Sequence, residues 1–334
     1  MPVKGVFVSE SSETTLSRLF RTTRCFLAEF LGTALICYVS VIYQHGPVPA
    51  AFVVGLTLAW IAWVFGPVSG AHVNPVVSLM MLLVRKVWFL DALIYIVAQL
   101  LGSMAGSWIG TLAVPAVDAG NTLGMTTISA NITVGQAIGL EIVATALLLL
   151  VILSAVDELR PKPWNVGNVT IFPFIFGATL ALLASLLGDL TGASMNPARS
   201  FGPAVVNNNF TDLWVYIVGP FIGALLATVL YEFLLTEGAC CNRVKAWFTE
   251  ADYDRARDYR VPDGNSLNLP SRNTAVIQTK RREHFLITVQ KFDVFIFILS
   301  DHLPRRLLVS KKSENSLLFY LLTELANTSV VSYT

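Results

Sequence analysis

The apolar residues of this chain fall into six long runs that polar stretches separate. Each run approaches the roughly 20 residues that a helix needs to cross the hydrocarbon core of a bilayer. Two further apolar stretches, ending near Val84 and Val206, are too short to cross alone. The pattern therefore predicts six membrane-spanning helices and one shorter segment in each half of the chain. The six runs cover residues 26–43, 50–66, 88–110, 135–156, 171–187 and 213–235.

Both short segments begin with a closely similar phrase, Gly70–Pro75 in the first half and Gly192–Pro197 in the second. An Asn-Pro pair starts a helix well, because Asn caps the free N–H groups and Pro at the first position loses no donor. Each phrase predicts a half-helix that begins at membrane depth with a partially positive N-terminus. Backbone of this kind survives there only if it is buried in protein or lines a wet cavity. One copy alone would suggest an ordinary cap, but two copies favour a pore.

The placement of Lys and Arg predicts the orientation. The loops at 44–49, 111–134 and 207–212 contain neither residue, so by the positive-inside rule they are external and both termini are cytosolic. The first half-helix segment then enters from the cytosol and the second from outside, as an inverted repeat requires. The basic residues behind this prediction are Lys4, Arg18, Arg21, Arg24, Arg85, Lys86, Arg160, Lys162, Arg243 and Lys245.

Composition supports a polytopic membrane protein. Of 334 residues, 54% are hydrophobic and 13% are charged, against about 25% charged in a soluble domain. The net charge of +1 gives no reason to expect a nucleic-acid partner. The sequence contains no metal-ligand cluster, nucleophile–base pair or phosphate loop, so we expect neither an enzyme nor a metal or cofactor. Four unpaired cysteines are expected, with palmitoylation of Cys240 and Cys241 as an alternative use.

A glutamate stands in an apolar span of each half, an expensive placement that needs a function or a satisfied polar contact. Glu29 and Glu141 are each the first residue of a similar sequence motif, so the repeat extends beyond the half-helices. We expect each carboxylate to accept hydrogen bonds from backbone N–H groups of the re-entrant segment in its own half. A proton relay is the alternative. Gly102, Gly106 and Gly110 predict a ridge for close helix packing.

These residues together resemble the aquaporin, or major intrinsic protein, family over residues 24–238. The resemblance implies an all-α membrane protein with six transmembrane helices and two re-entrant half-helices in an inverted repeat. It also implies one pore per subunit and a homotetramer in a lipid bilayer, which we expect to be the plasma membrane. Val76 departs from the Ala that is usual after the first Asn-Pro. The resemblance rests on the two boxes (Asn74, Pro75, Val76 and Asn196, Pro197, Ala198), Ser69, Thr191, Arg199, Ser200, Gln99, the two glutamates, Gly219 and Pro220.

The resemblance also assigns expected roles in conduction. Asn74 and Asn196 would donate to water at the pore centre, where the half-helix dipoles orient the water and exclude protons and cations. Arg199 would line the narrowest constriction, although a buried structural ion pair is an alternative for it. The expected acceptor track consists of the backbone carbonyl groups of Gly70, Ala71, His72, Gly192, Ala193 and Ser194.

The other constriction positions of the family can be assigned to this chain by counting residues back from each asparagine. Val54 lies twenty residues before Asn74, where water-selective members place Phe, and Ala184 lies twelve before Asn196, where they place His. Ala193 stands where several members have Cys. We therefore expect a wide, apolar filter that passes water and small uncharged solutes such as glycerol and urea. Ser200 replaces the Asp of glycerol facilitators, so a strictly water-selective channel is an alternative hypothesis. A coupled transporter and a structural membrane protein are further alternatives. An error in the spacing would change which residues form the filter.

The remaining segments carry fewer signals. Residues 1–23 are expected to be a cytosolic N-terminal segment, and residues 239–334 a largely disordered cytosolic tail. The apolar run at 294–299 is too short to span the membrane. An amphipathic surface segment and the product of an unusual splice or gene model are the two interpretations left open for it. Sequons at Asn131 and Asn209 fall in predicted outer loops and are candidates for glycosylation.

Overall fold

Six long helices dominate the computed structural model, which describes residues 14–43, 48–114, 123–161, 168–250 and 253–260 and four strands between residues 276 and 311. All six are long and apolar enough to cross a membrane. Two shorter helices begin at the two Asn-Pro pairs. The predicted fold class is therefore confirmed. The helices are α1 (Thr15–Ile42), α2 (Ala50–Ser69), α3 (Pro75–Leu83), α4 (Phe89–Ala113), α5 (Val134–Ala155), α6 (Asn168–Thr191), α7 (Pro197–Val206), α8 (Val215–Leu230) and α9 (Cys241–Thr249), with a π-helical turn at Tyr231–Leu235.

Local capping sets the starts of two of the spans. The hydroxyl of Thr14 accepts a hydrogen bond from the N–H of Ser17 at 3.2 Å, so α1 begins well before its apolar run. Helix α5 begins with a capping box in which Thr133 and Gln136 satisfy each other's backbone N–H groups. These caps replace bonds that the first turn of a helix cannot make within itself.

Glycines allow the helices to approach closely at equivalent places in the two halves. Helix α4 packs on α1, and a Cβ at Gly102 would lie 2.2 Å from the carbonyl oxygen of Phe30. Helix α8 packs on α5 in the same way, where a Cβ at Gly223 would lie 2.6 Å from the carbonyl oxygen of Ile142. Any side chain larger than hydrogen would force these helix pairs apart.

The two halves meet where α2 crosses α6. A Cβ at Gly55 would lie 2.5 Å from the carbonyl oxygen of Gly177, and a Cβ at Gly177 would lie 2.4 Å from that of Gly55. Between these helices and the other spans, the apolar side chains of the re-entrant segments form much of the core. Val73, Met80 and Met195 are among its fully buried members.

The helical unit continues past residue 238 and ends at Arg260. Its last part is held by a buried carboxylate on the π-helical turn. Glu232 accepts hydrogen bonds from Arg243 at 2.8 Å and from Arg255 at 2.5 Å. All three residues are at most 5% exposed. We expected the tail to begin before α9. Helix α9 nevertheless belongs to the helical unit, because the Arg243–Glu232 ion pair and a hydrogen bond from the Trp247 indole to the carbonyl oxygen of Leu83 hold it there.

The second unit covers Val261–Thr334. Its described part is an antiparallel sheet of β1 (Val276–Gln278), β2 (His284–Val289), β3 (Val294–Leu299) and β4 (Leu307–Lys311), paired in chain order. Val289 pairs with Val294, and Val294 pairs with Lys311. The apolar run at 294–299 is thus an inner strand, which explains its alternating β-branched and aromatic residues.

Candidate functional site

The backbone of both re-entrant segments leaves the helical conformation in the same way before each Asn-Pro pair. Non-glycine residues rarely adopt a positive φ, because the Cβ crowds the following carbonyl at a cost of about 1–2 kcal/mol per residue. Here two non-glycine residues in each segment do so. Their peptide groups are outside helical hydrogen bonding and need other partners. The values are 90° at Gly70, 47° at Ala71 and 44° at Val73, against 76° at Gly192, 48° at Ala193 and 50° at Met195.

In the first half, the carboxylate of Glu29 supplies those partners. One of its oxygens accepts the N–H of His72 at 2.9 Å and the hydroxyl of Ser69 at 2.6 Å. The other accepts the N–H of Val73 at 2.6 Å and the amide of Gln99 at 2.8 Å. Glu29 is fully buried, so these four donors replace the water that a carboxylate would otherwise need.

Glu141 does the same in the second half. One of its oxygens accepts the N–H of Ser194 at 3.0 Å and the hydroxyl of Thr191 at 2.7 Å, and the other accepts the N–H of Met195 at 2.8 Å. Glu141 is also fully buried. Each carboxylate therefore holds the strained turn that precedes the half-helix of its own half.

A tyrosine completes the support of each turn. The hydroxyl of Tyr95 donates to the carbonyl oxygen of Ser69 at 2.9 Å, and that of Tyr216 donates to the carbonyl oxygen of Thr191 at 2.8 Å. The sequence reasoning assigned neither role. Both tyrosines are buried, and their spacing from the Asn-Pro pairs gives no local signal of such a bond.

The two half-helices meet through their asparagines. The amide nitrogen of Asn74 donates to the carbonyl oxygen of Met195 at 2.9 Å, and that of Asn196 donates to the carbonyl oxygen of Val73 at 2.8 Å. Each side-chain oxygen meanwhile caps its own half-helix, accepting from Val76 at 3.1 Å and from Ala198 at 3.0 Å. The positive ends of α3 and α7 are thus locked tip to tip.

Arg199, in the first turn of α7, is tied to an outer loop. Its guanidinium donates a short hydrogen bond to the carbonyl oxygen of Gly124. Two residues later in that loop, the hydroxyl of Thr126 donates to that of Ser200 at 2.8 Å. Gly124 and Thr126 were missed from the sequence, because they lie in a loop without hydrophobic periodicity and have no counterpart in the repeat.

The remaining filter candidates lie on three different elements. Val54 is half-buried on α2 beside Gly55, where α2 crosses α6. Ala184 is half-buried on α6 and packs against the core, and Ala193 is buried in the second turn. Phe52 is 53% exposed and lies on another face of α2.

The side chain of His72 is enclosed by protein. Its Nδ1 lies 3.0 Å from the hydroxyl oxygen of Ser78, and its ring meets that of Tyr95 edge-on at 5.0 Å between centroids. At the equivalent place in the second half, the hydroxyls of Ser194 and Ser200 are 2.6 Å apart. These side chains brace the turns from within.

Comparison with known proteins agrees with this architecture. Residues 16–231 match the family described as Major intrinsic protein. Aquaporin-1 of Sus scrofa is 34% identical over 263 residues, which cover 73% of this chain and 93% of that protein. Aquaporin-1 of Homo sapiens is 35% identical over 242 residues, covering 67% and 87%. The X-ray structure of the aquaglyceroporin from Plasmodium falciparum matches with a TM-score of 0.56 and 25% identity over 63% of this chain and 95% of that one. This chain is therefore a multi-pass integral membrane protein that belongs to the major intrinsic protein, or aquaporin, family of channels, which are not enzymes.

Proposed function

We propose that this chain forms a passive pathway for water and that the same pathway admits small uncharged solutes such as glycerol and urea. The observation that carries the first part is the paired contact between the half-helices. One N–H of each asparagine amide is used to hold the opposite turn, and an amide has two. The second N–H of Asn74 and of Asn196 would donate to a passing molecule, while the converging helix dipoles repel cations and protons.

Arg199 is proposed to form one wall of the constriction. Its guanidinium is anchored to Gly124 through one nitrogen, and five N–H groups are available on an arginine. The remaining groups would donate to a hydroxyl or carbonyl oxygen of the permeant. The carbonyl groups of Gly70, Ala71, His72, Gly192, Ala193 and Ser194 are proposed as the acceptors along the pathway.

Solute entry is inferred from the small side chains that we propose as the other walls of this constriction. Val54, Ala184 and Ala193 carry no ring and no polar group, so they would leave a wider and more apolar opening than Phe and His would. A strictly water-selective channel is the second candidate. It is favoured by Ser200, whose hydroxyl is engaged with Thr126 and Ser194 and provides no charged group for a polyol.

Stopped-flow light scattering of reconstituted vesicles tests both parts. With sucrose outside, we expect shrinkage faster than in empty vesicles, and equal rates would contradict the water pathway. With glycerol or urea outside, we expect shrinkage followed by recovery, and a lasting loss of volume would favour the strictly water-selective channel. Recovery that requires an ion gradient would indicate a coupled transporter, and a folded protein without any permeability would indicate a structural role.

Variants locate the filter. Val54→Phe with Ala184→His should abolish the recovery with glycerol and leave water permeability within about twofold, since single water molecules still pass. The control is Leu56→Phe with Leu186→Phe, which adds rings to exposed faces of the same two helices. If the control blocks glycerol equally, the proposed filter positions are wrong.

We further propose a homotetramer in the plasma membrane with residues 24–238 as the channel domain and both termini in the cytosol. Cys241 is exposed on α9 and can report orientation. A membrane-impermeant maleimide should label Cys241 in permeabilised cells but not in intact cells, and the Cys241→Ser variant should lose that labelling. Asn131 and Asn209 are proposed glycosylation sites of the outer loops, to be tested by the gel shift of each Asn→Gln variant.

A further inference from the structure

A crevice of about 450 Å³ opens where α5 ends and α6 begins. Volumes of about 300–1,000 Å³ are typical of small-molecule sites. The last turns of α5 line one wall with Leu150, Val151 and Ser154, and the first turns of α6 line another with Ile171, Phe172 and Ile175. The π-helical turn supplies Tyr231 and Leu235. All these residues lie at one end of their helices, so the crevice lies at one membrane face.

The walls are apolar and, in the single chain, partly open to the surroundings. Ile171, Ile175 and Leu235 are 55%, 45% and 56% exposed. Phe172 stacks on Phe176 at 5.4 Å between ring centroids, which fixes the inner wall. An apolar, half-open crevice at this depth in a membrane suits a hydrocarbon chain.

One end of the crevice is cationic. Arg160 lines it, and one guanidinium nitrogen donates to the carbonyl oxygen of Ser154 at 2.9 Å, which holds the charge over the end of α5. Four N–H groups remain on the guanidinium after that bond, in the forked arrangement that suits phosphate.

The two carboxylates closest to Arg160 in sequence have partners of their own. Asp157 accepts the hydroxyls of Tyr231 at 2.9 Å and Thr236 at 3.0 Å. Glu158 pairs with Lys86 and lies 3.7 Å from Arg255. Within the part of the chain that the structure describes, no carboxylate lies within 4.0 Å of the Arg160 guanidinium, so its positive charge is available to a ligand.

From this combination we infer that the crevice binds an anionic glycerophospholipid of the cytosolic leaflet. One acyl chain lies along Val151 and Ile175, and the headgroup phosphate contacts Arg160. Basic pockets between helices on the cytosolic side recognise anionic headgroups in this way. The inference uses the proposed orientation, with Arg160 in the cytosol, and does not require that the protein conduct.

Lipid titration of the purified full-length protein in detergent tests the site, with the midpoint of thermal unfolding as the readout. We expect saturable stabilisation by dioctanoyl-phosphatidylserine and none by dioctanoyl-phosphatidylcholine, O-phosphoserine or inorganic phosphate. Equal stabilisation by the zwitterionic lipid would overturn the charge recognition. Stabilisation by phosphate alone would make the crevice a simple anion site and overturn the lipid assignment.

Three variants separate a built site from diffuse attraction. Arg160→Gln should weaken the apparent affinity for the anionic lipid about tenfold, the effect of losing one strong charge-assisted contact. Val151→Trp should abolish saturable binding by filling the crevice with Arg160 intact. Arg24→Gln removes an exposed positive charge on the same proposed membrane face and should change nothing.

An equal loss in Arg24→Gln and Arg160→Gln would reject the site in favour of general surface charge. If no lipid stabilises the protein and Val151→Trp dissociates its oligomer, a second copy of the chain covers the crevice and the inference fails. Because unfolding is measured without transport, lipid binding by a non-conducting protein would reject only the proposed function.

Discussion

The two re-entrant segments are built in nearly the same way, and their few differences show which contacts the two halves do not share. The φ angles of Ala71 and Ala193 agree within 1°, and both asparagines bond the opposite turn. The two halves differ in the residue that stands three positions after each asparagine. Val77 is 2% exposed in the core, whereas Arg199 carries a charge to the outer loop. The duplicated parts build the frame, and the arginine with its bond to Gly124 has no counterpart in the first half.

A second difference concerns how each half supports its buried serine. In the first half, the amide of Gln99 donates to both Glu29 and Ser78. In the second half, Thr126 of the outer loop donates to Ser200 instead. The first segment is thus braced from within the helix bundle, and the second partly from an external loop. We expect the second to depend more on that loop.

The largest effect should come from the carboxylates that the halves share. Glu29→Gln and Glu141→Gln each place an amide N–H against backbone N–H groups in a buried site. We expect each to lower the free energy of unfolding by about 3–5 kcal/mol, as when one partner is removed from a buried charged contact. Denaturation in mixed micelles measures this.

Asp189→Asn on the exposed surface is the control and should be neutral. Since Glu29 accepts four hydrogen bonds and Glu141 three, the first variant should be at least as damaging as the second. A tolerated Glu29→Gln beside a damaging Glu141→Gln would break the equivalence of the halves.

The next effect should come from the asparagines. Asn74→Ala and Asn196→Ala each remove a helix cap and a bond across the contact, at a combined cost of about 2–3 kcal/mol. Asn74→Asp keeps the acceptor that caps α3 but places a buried carboxylate oxygen against the carbonyl oxygen of Met195, so it should cost at least as much as Asn74→Ala. The same denaturation measures both.

The two alanine variants should also be less than additive, because they act at one contact. Full additivity in the double variant would indicate that the half-helices are held independently and do not depend on each other.

Arg199→Val gives the second half the valine that the first half has at Val77. We expect a smaller effect on stability but a distinct effect on permeability. Removing the positive charge should raise permeability to methylammonium and protons by at least about tenfold, equivalent to about 1.4 kcal/mol. Vesicle swelling and a trapped pH dye measure the two.

Arg199→Lys keeps the charge and should retain most of the exclusion. If Arg199→Val excludes cations as well as the unmodified protein, the asparagine contact and helix dipoles suffice, and the difference between the halves has no role in selectivity.

Much of this fold could be predicted from the sequence, because the information is local. Six apolar runs mark the spans, and Asn followed by Pro marks the start of each half-helix. A glutamate in an apolar run can be recognised from the sequence as a residue that needs buried hydrogen-bond donors. Only the structure shows which groups donate to each of its oxygens. The contacts of Gly124 and Thr126 join residues 75 and 74 positions apart, and the ion pairs of Glu232 span 11 and 23 positions, so no helical or strand periodicity marks them. Charged residues such as Arg243 and Arg255 are then locally indistinguishable from solvated ones.

The smallest expected effect concerns the residue after each proline. Val76 is 2% exposed and Ala198 fully buried, so the halves fill equivalent space differently. Val76→Ala should leave a small cavity and cost about 1–2 kcal/mol, and Ala198→Val should overpack and cost about 1–3 kcal/mol. Denaturation in mixed micelles measures the stability, and vesicle shrinkage the permeability.

Neither change should alter water permeability by more than about twofold, because Val76 and Ala198 face the core while the asparagines hold the contact. The double variant Val76→Ala with Ala198→Val should lose less unfolding free energy than the sum of the two single variants only if the two sites share a cavity wall. A neutral Val76→Ala would mean that the first half tolerates either side chain and that this departure from the family pattern has no structural effect. A change in glycerol entry would instead connect the packing behind α3 to the width of the pathway, and the separation of frame from filter would then fail.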